Sequence, residues 1–150
     1  MSVQTLKEVI GFIGVVGSLL FVGYELRQNT QATRATAIQE SINVARQQIQ
    51  MYALDADANR ISFIGRDSLD VLNVEEQERY RWMMLSFFWG MQGVYRQWDL
   101  GVLPDEEWGA WYQVICLNIA SPGTRRVWDR ATFYTADFRA MVESCDTFAP

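Results

Sequence analysis

The N-terminal part of the chain contains an apolar run that limits what it can fold into. Residues Val9 to Tyr24 form sixteen consecutive positions without a charged side chain. As an α-helix this run is about 24 Å long, against about 30 Å for the hydrocarbon core of a bilayer. Its apolar residues fall on every face, whereas a helix lying flat on a membrane surface needs a polar side. We therefore expect residues 1–27 to form a short transmembrane anchor, with Lys7 and Arg27 reaching opposite interfaces.

Two other structures remain open for this run. A signal peptide needs small residues at a cleavage site after its apolar core, but Tyr24 and Glu25 follow here. A buried helix of a soluble domain is also compatible with the length of the run. For an anchor, the cations that follow it slightly outnumber those before it. This excess predicts a single-pass protein of the inner membrane, with residues 28–150 in the cytoplasm.

One face of the predicted anchor carries the small residues Gly11, Gly14 and Ser18. Small side chains at spacings of three and four allow a second helix to approach closely, so these residues form a candidate helix-packing interface. The same face leads to Glu25, a candidate polar contact for a partner at the membrane boundary. Alternatively, Glu25 is simply solvated beside Arg27.

The remainder of the chain is predicted to be an all-α, irregular helical bundle, because no alternation of period two is sustained. An apolar stripe from Ile38 to Tyr52 indicates one long helix that continues from the anchor. A short helix is expected to end near Gly65, a natural C-cap. Asn73 and Glu76 have the spacing of a capping box, which predicts the start of another long helix. Further helices are expected after Pro104, around residues 125–128 and around residues 136–142.

The composition argues against several classes of activity. The net charge of -5 disfavours a nucleic-acid partner, and the absence of histidine removes the commonest metal ligand and general base. Acidic residues cluster at predicted helix starts, where the helix dipole alone favours them. Cys116 and Cys145 lie far apart without metal-ligand spacing, which favours free thiols in a reducing compartment. We therefore expect no metal, no cofactor and no catalytic residue.

Six tryptophans lie between residues 82 and 128 of this 150-residue chain. Aromatic residues at helical spacing usually form a core, but such a density also suits an apolar ligand pocket or an exposed contact for a partner. The candidate contacts with a partner or ligand are Trp108, Trp111 and Trp128.

Several short motifs along nearly the whole chain are together similar to a scattered set of uncharacterised bacterial proteins. These proteins have a hydrophobic N-terminal helix and a helical remainder, so the resemblance supports the predicted architecture and implies no activity or site. The residues that carry it are Arg27–Thr30, Gly65, Leu72, Glu75, Glu76, Tyr95, Gly101, Leu103, Glu107, Trp108, Trp111, Gly123, Arg125, Trp128, Phe133 and Phe138.

These observations favour a non-enzymatic, membrane-anchored interaction or accessory subunit. Its expected partners are the lipid bilayer and either another membrane protein or a second copy of itself. The alternative is a membrane-tethered sensor that binds an apolar or lipid-like ligand in an aromatic-rich helical pocket.

Overall fold

The computed structural model describes residues 3–147, with side chains for residues 11–145. The described chain is all-α, as predicted, and contains no strand. Two 3₁₀ segments follow the second and the last of its α-helices, at Leu69–Val71 and Ser144–Thr147. The helices are α1 (Val3–Leu54), α2 (Ala56–Asp67), α3 (Val74–Asp99), α4 (Asp105–Ile119), α5 (Pro122–Arg130) and α6 (Ala136–Glu143).

The chain divides into two compact units, residues 1–36 and residues 37–150. The first unit contains the apolar run, and its described apolar side chains are exposed on every side of α1. Val16 is the least exposed of them, at 38%, and Phe12 and Leu20 reach 71%. A helix that is apolar all round is normally buried in a protein core or in a membrane.

Within the described residues, no helix combines the length and the apolar character needed to cross a membrane. The transmembrane anchor predicted over residues 1–27 is therefore not supported by the described part of the chain. The side chains of residues 1–10, including Lys7 and the first two positions of the run, lie outside the described part.

The second unit is a helical bundle built around α3. One face of α3 is buried along its length and meets α2, α4 and α5. Phe88, Phe138 and Val142 have no exposed surface, and Trp128 is almost as deeply buried. The predicted capping box opens α3: Asn73 Oδ1 accepts from the Glu76 backbone N–H at 2.9 Å, and Glu76 Oε2 accepts from the Asn73 N–H at 3.0 Å.

The last part of α1 belongs to the second unit, and its buried face matches the predicted stripe only in part. Ile38 and Tyr52 of the stripe pack against the core, whereas Ile42 and Ile49 are exposed. Val44 of α1 lies against Gly90 of α3. A Cβ placed on Gly90 of α3 would lie 2.7 Å from Val44 Cγ1.

Two glycines allow α2 to touch both α3 and α5. A Cβ on Gly123 would lie 1.7 Å from the Gly65 carbonyl oxygen, and one on Gly65 would lie 2.5 Å from Tyr80 Cδ2. Gly65 was expected to end its helix, but α2 continues to Asp67. Close packing, and not a C-cap, explains this glycine.

The two cysteines form a disulfide, so the prediction of free thiols is wrong. Cys116 of α4 and Cys145 of the last 3₁₀ segment have Cα atoms 5.1 Å apart, and both are buried. Their separation of 29 residues hid this pairing in the sequence, because tertiary folding alone brings the two positions together. The disulfide ties the end of the chain to α4.

Candidate functional site

The small-residue face of α1 is open in the structure. A Cβ on Gly11 or Gly14 would meet nothing within 4 Å outside the helix's own backbone. Ser18 Oγ donates to the Val15 carbonyl oxygen at 2.8 Å, a bond within the helix that leaves the face smooth. Space for a close helix neighbour is therefore available at these residues.

Glu25 is exposed and lines a shallow hollow on α1 together with Val22, Leu26 and Asn29. Every residue around this hollow belongs to α1. Glu25 is therefore accessible to solvent or to a partner, and no enclosed site surrounds it among the described residues.

Trp108 and Trp128 lie in the core of the second unit, at 8% and 1% exposure. Trp108 stacks on Trp98 with ring centroids 5.1 Å apart, and Trp128 stacks on Tyr134 at 4.9 Å. Their burial leaves almost no indole surface for a partner, so the core interpretation applies to both. The third candidate, Trp111, is half-buried and packs against the same core.

The aromatic surface that the structure leaves accessible lies elsewhere, on the outer side of α3. Trp82, Trp89 and Phe133 are 60%, 59% and 53% exposed. They line an open groove of about 420 Å³, which we call the aromatic groove. Its lining consists of Arg81, Trp82, Leu85, Ser86, Trp89 and Phe133.

Helix geometry and a short loop position the rings of the groove. Trp82 and Trp89 are seven residues apart, which places both on one face of α3. Phe133 comes from the loop between α5 and α6, and its ring makes an edge contact with Trp89 at 5.6 Å. The neighbouring Tyr134 holds this loop, since its hydroxyl donates to the Leu85 carbonyl oxygen at 3.3 Å. Burial raises the pKa of Tyr134, so its hydroxyl keeps its proton at neutral pH.

The only charge in the aromatic groove is a cation whose partners are already in place. The Arg81 guanidinium lies 4.5 Å from the centre of the Trp82 ring and donates to Glu78 Oε2 at 2.6 Å. This pairing lowers the pKa of Glu78 below its ordinary value. The groove thus offers flat apolar rings beside a neutralised cation, an arrangement suited to packing against apolar or aromatic groups.

Within the described residues, no group of three or more carboxylate or cysteine side chains could hold a metal ion. No protein-family model matches this chain, and comparisons with curated proteins and with solved structures return no match. Inference about function therefore depends on the geometry of the molecule.

Sequence reasoning named Trp108, Trp111 and Trp128 and overlooked the aromatic groove. A signal was present, because Trp82 and Trp89 lie off the apolar stripe of α3 that contains Met84, Phe88 and Met91. Aromatic residues spaced by seven outside the core stripe indicate a second, surface-directed face. Phe133 carries no comparable signal, because a loop brings it to α3.

Proposed function

We propose that this protein is a non-enzymatic interaction or accessory module, held at a membrane by its apolar N-terminal segment. The observation that carries the proposal is the exposure of apolar side chains on every side of α1 between residues 12 and 26. Water is a poor environment for such a surface, since each square ångström of apolar area costs about 25 cal/mol when exposed. Lipid tails and apolar partner helices both satisfy it.

The proposed anchor is short, and its length determines how it fits the thickness of the bilayer. A run of about 24 Å needs local thinning of the bilayer and an interfacial position for Arg27 at its end. A neighbouring helix against Gly11, Gly14 and Ser18 would add packing, since close approach drives helix association in lipid. That neighbour belongs to another membrane protein or to a second copy of this chain.

Two signals bear on the orientation of the anchor, and they oppose each other. The small excess of cations after the run favours a cytoplasmic second unit. The disulfide between Cys116 and Cys145 favours a compartment that oxidises thiols, because structural disulfides are rare in the cytosol. We propose the oxidising side, since the cation excess is too small to outweigh a buried cross-link. If a thiol reagent labels both cysteines in freshly denatured cell extract, the thiols are free, and the cytoplasmic orientation is supported instead.

The anchoring proposal is tested by carbonate extraction of membranes that contain the full chain. Leu19→Arg combined with Leu20→Arg is expected to release the protein, because a central arginine costs about 3 kcal/mol in a membrane helix. The control is Leu117→Arg, which changes an equally exposed leucine of α4. Wild-type protein in the soluble fraction, or release by both changes alike, would refute the anchor.

The interaction part of the proposal is tested separately, by the mass of the native particle in mild detergent. Gly14→Leu and Ser18→Leu fill the open face of α1 and are expected to weaken assembly with the neighbouring helix. Unchanged assembly in both variants would exclude this face as the interface.

The aromatic groove favours a second candidate function, a sensor for an apolar or lipid-like ligand. Its volume of about 420 Å³ falls within the range of small-molecule sites, and three aromatic rings line it. Trp82 and Trp89 would report binding through their fluorescence. Titration with a short-chain phospholipid below its micelle concentration should shift the emission of wild-type protein but not of Trp89→Ala. The absence of any shift in wild-type protein would rule out this ligand class.

A further inference from the structure

A second concavity lies on the surface of the bundle, away from the aromatic groove, and we call it the polar hollow; Asn59, Phe63 and Arg66 of its lining are exposed. It has a volume of about 290 Å³, at the small end of ligand sites. Four helices of the second unit contribute to it. Its lining consists of Tyr52 of α1, Asn59, Ser62, Phe63 and Arg66 of α2, Tyr80 and Met84 of α3, and Asn118 of α4.

The polar hollow carries a cation without a counter-charge. None of the side chains that line it is a carboxylate, although the whole chain has a net charge of -5. Arg66 makes no ion pair with any residue that the structure describes. In contrast, most arginines of the bundle pair with a carboxylate: Arg60, Arg79, Arg81, Arg96, Arg126 and Arg139.

Hydroxyl and amide groups line the same hollow as this guanidinium. The Tyr52 hydroxyl hydrogen-bonds to Ser62, and burial raises the pKa of Tyr52 so that it remains a donor at neutral pH. The Tyr80 hydroxyl is fixed by Thr124 Oγ1 at 2.8 Å, and the charges of Arg66 and of the neighbouring Asp67 act on its pKa in opposite directions. Asn118 Nδ2 donates to the Val114 carbonyl oxygen at 2.8 Å, which leaves its Oδ1 as an acceptor.

The packing of the bundle holds these groups in place before any ligand arrives. Tyr80 lies directly against Gly65, with no room for a larger residue at that position. Because the hydroxyl of Tyr80 and the backbone of α2 are fixed, these parts of the hollow lose little conformational entropy when it is filled. A planar guanidinium with nearby hydroxyl donors matches the oxygens of a carboxylate or phosphate.

We propose that the polar hollow binds a small organic anion through Arg66, with the hydrogen-bonded hydroxyls of Tyr52 and Ser62 supplying one further donor. The ligand class is a compact molecule bearing one carboxylate or phosphate group, since about 290 Å³ excludes a nucleotide-sized ligand. The Asn118 oxygen would accept from a hydroxyl on that molecule. The proposal does not depend on the interaction role proposed above, because the hollow and the apolar segment of α1 have no residue in common.

Isothermal titration calorimetry on the full chain in detergent tests this site, with inorganic phosphate, lactate and propionate as probes. We expect saturable binding of phosphate or of the monocarboxylates, and tighter binding of lactate than of propionate because only lactate carries a hydroxyl for Asn118. Arg66→Gln should abolish binding. Tyr52→Phe should weaken it about tenfold or more, the effect of losing one hydrogen bond to a charged group.

Arg130→Gln is the matched control, because Arg130 is also exposed and makes no ion pair within the described chain. Unchanged binding in this variant shows that general surface charge is not responsible. Circular dichroism of Arg66→Gln confirms that the bundle is intact. The proposal is overturned if no probe binds wild-type protein at 10 mM (about the weakest affinity of functional interest), or if Arg66→Gln binds as wild type does.

Discussion

Reducing the disulfide between Cys116 and Cys145 should lower the stability of the bundle by a predictable amount. The bond closes a loop of 29 residues. The chain-entropy relation for a loop of this length gives about 12 cal/mol/K, or about 3.6 kcal/mol at 25 °C. At roughly 4 °C of melting temperature per kcal/mol, the reduced protein should unfold about 14 °C lower than the oxidised protein.

The measurement is thermal unfolding of the full chain followed by circular dichroism, with and without dithiothreitol. The reductant acts on this bond alone, because the chain has no other cysteine. Cys116→Ala with Cys145→Ala provides the control. Its melting temperature should be close to that of the reduced protein, and slightly lower because two buried sulfur atoms are also lost. It should not change when reductant is added. Coincident melting curves for oxidised and reduced wild-type protein would refute the reasoning.

Three further changes test the packing and the charges of the bundle. Gly123→Ala should lower the free energy of unfolding in urea by about 3 kcal/mol or more, because its Cβ would overlap the backbone of α2. The control Gly93→Ala should leave the free energy of unfolding unchanged or raise it, because a Cβ there meets nothing within 4 Å. Tyr80→Phe should lower the free energy of unfolding by about 1–2 kcal/mol, because the buried Thr124 hydroxyl then keeps only its weak contact with Met84 Sδ. A double variant with Thr124→Val should recover part of that loss. Hydrogen bonds from backbone N–H groups at the start of α2 and an arginine salt bridge lower the pKa of Asp55 below its ordinary 3.8. Its stabilising effect is therefore complete above that value and is lost as the pH falls below it. Asp55→Asn should flatten that part of the pH profile of stability, and an unchanged profile would contradict the assignment.

Local chemistry made much of the helix pattern predictable. The capping box of Asn73 and Glu76 marks the start of α3 because both hydrogen bonds form within one turn. Gly101, with a φ of 70°, follows the end of α3 because glycine adopts this conformation at little cost. Such signals need no knowledge of the rest of the chain.

The division of the aromatic residues between core and surface was only partly predictable, since it depends on which face of each helix meets another. Trp89 follows two phenylalanines and Trp108 follows two glutamates, but Trp108 is the buried one. Trp108 stacks in the interior on Trp98, whereas Trp89 lines the aromatic groove. Only the packing of α4 and of the Phe133 loop against α3 separates them.

The helical pattern, the capping of α3 and the apolar character of the N-terminal run follow from the sequence alone, because they depend on contacts within a few residues or on composition. Contacts between residues far apart in the sequence are set only by the tertiary structure. It joined Cys116 to Cys145, brought Gly65 against Gly123, and gathered Tyr52, Arg66 and Asn118 around the polar hollow. No local pattern encodes these meetings, because each one is set by how whole helices pack together.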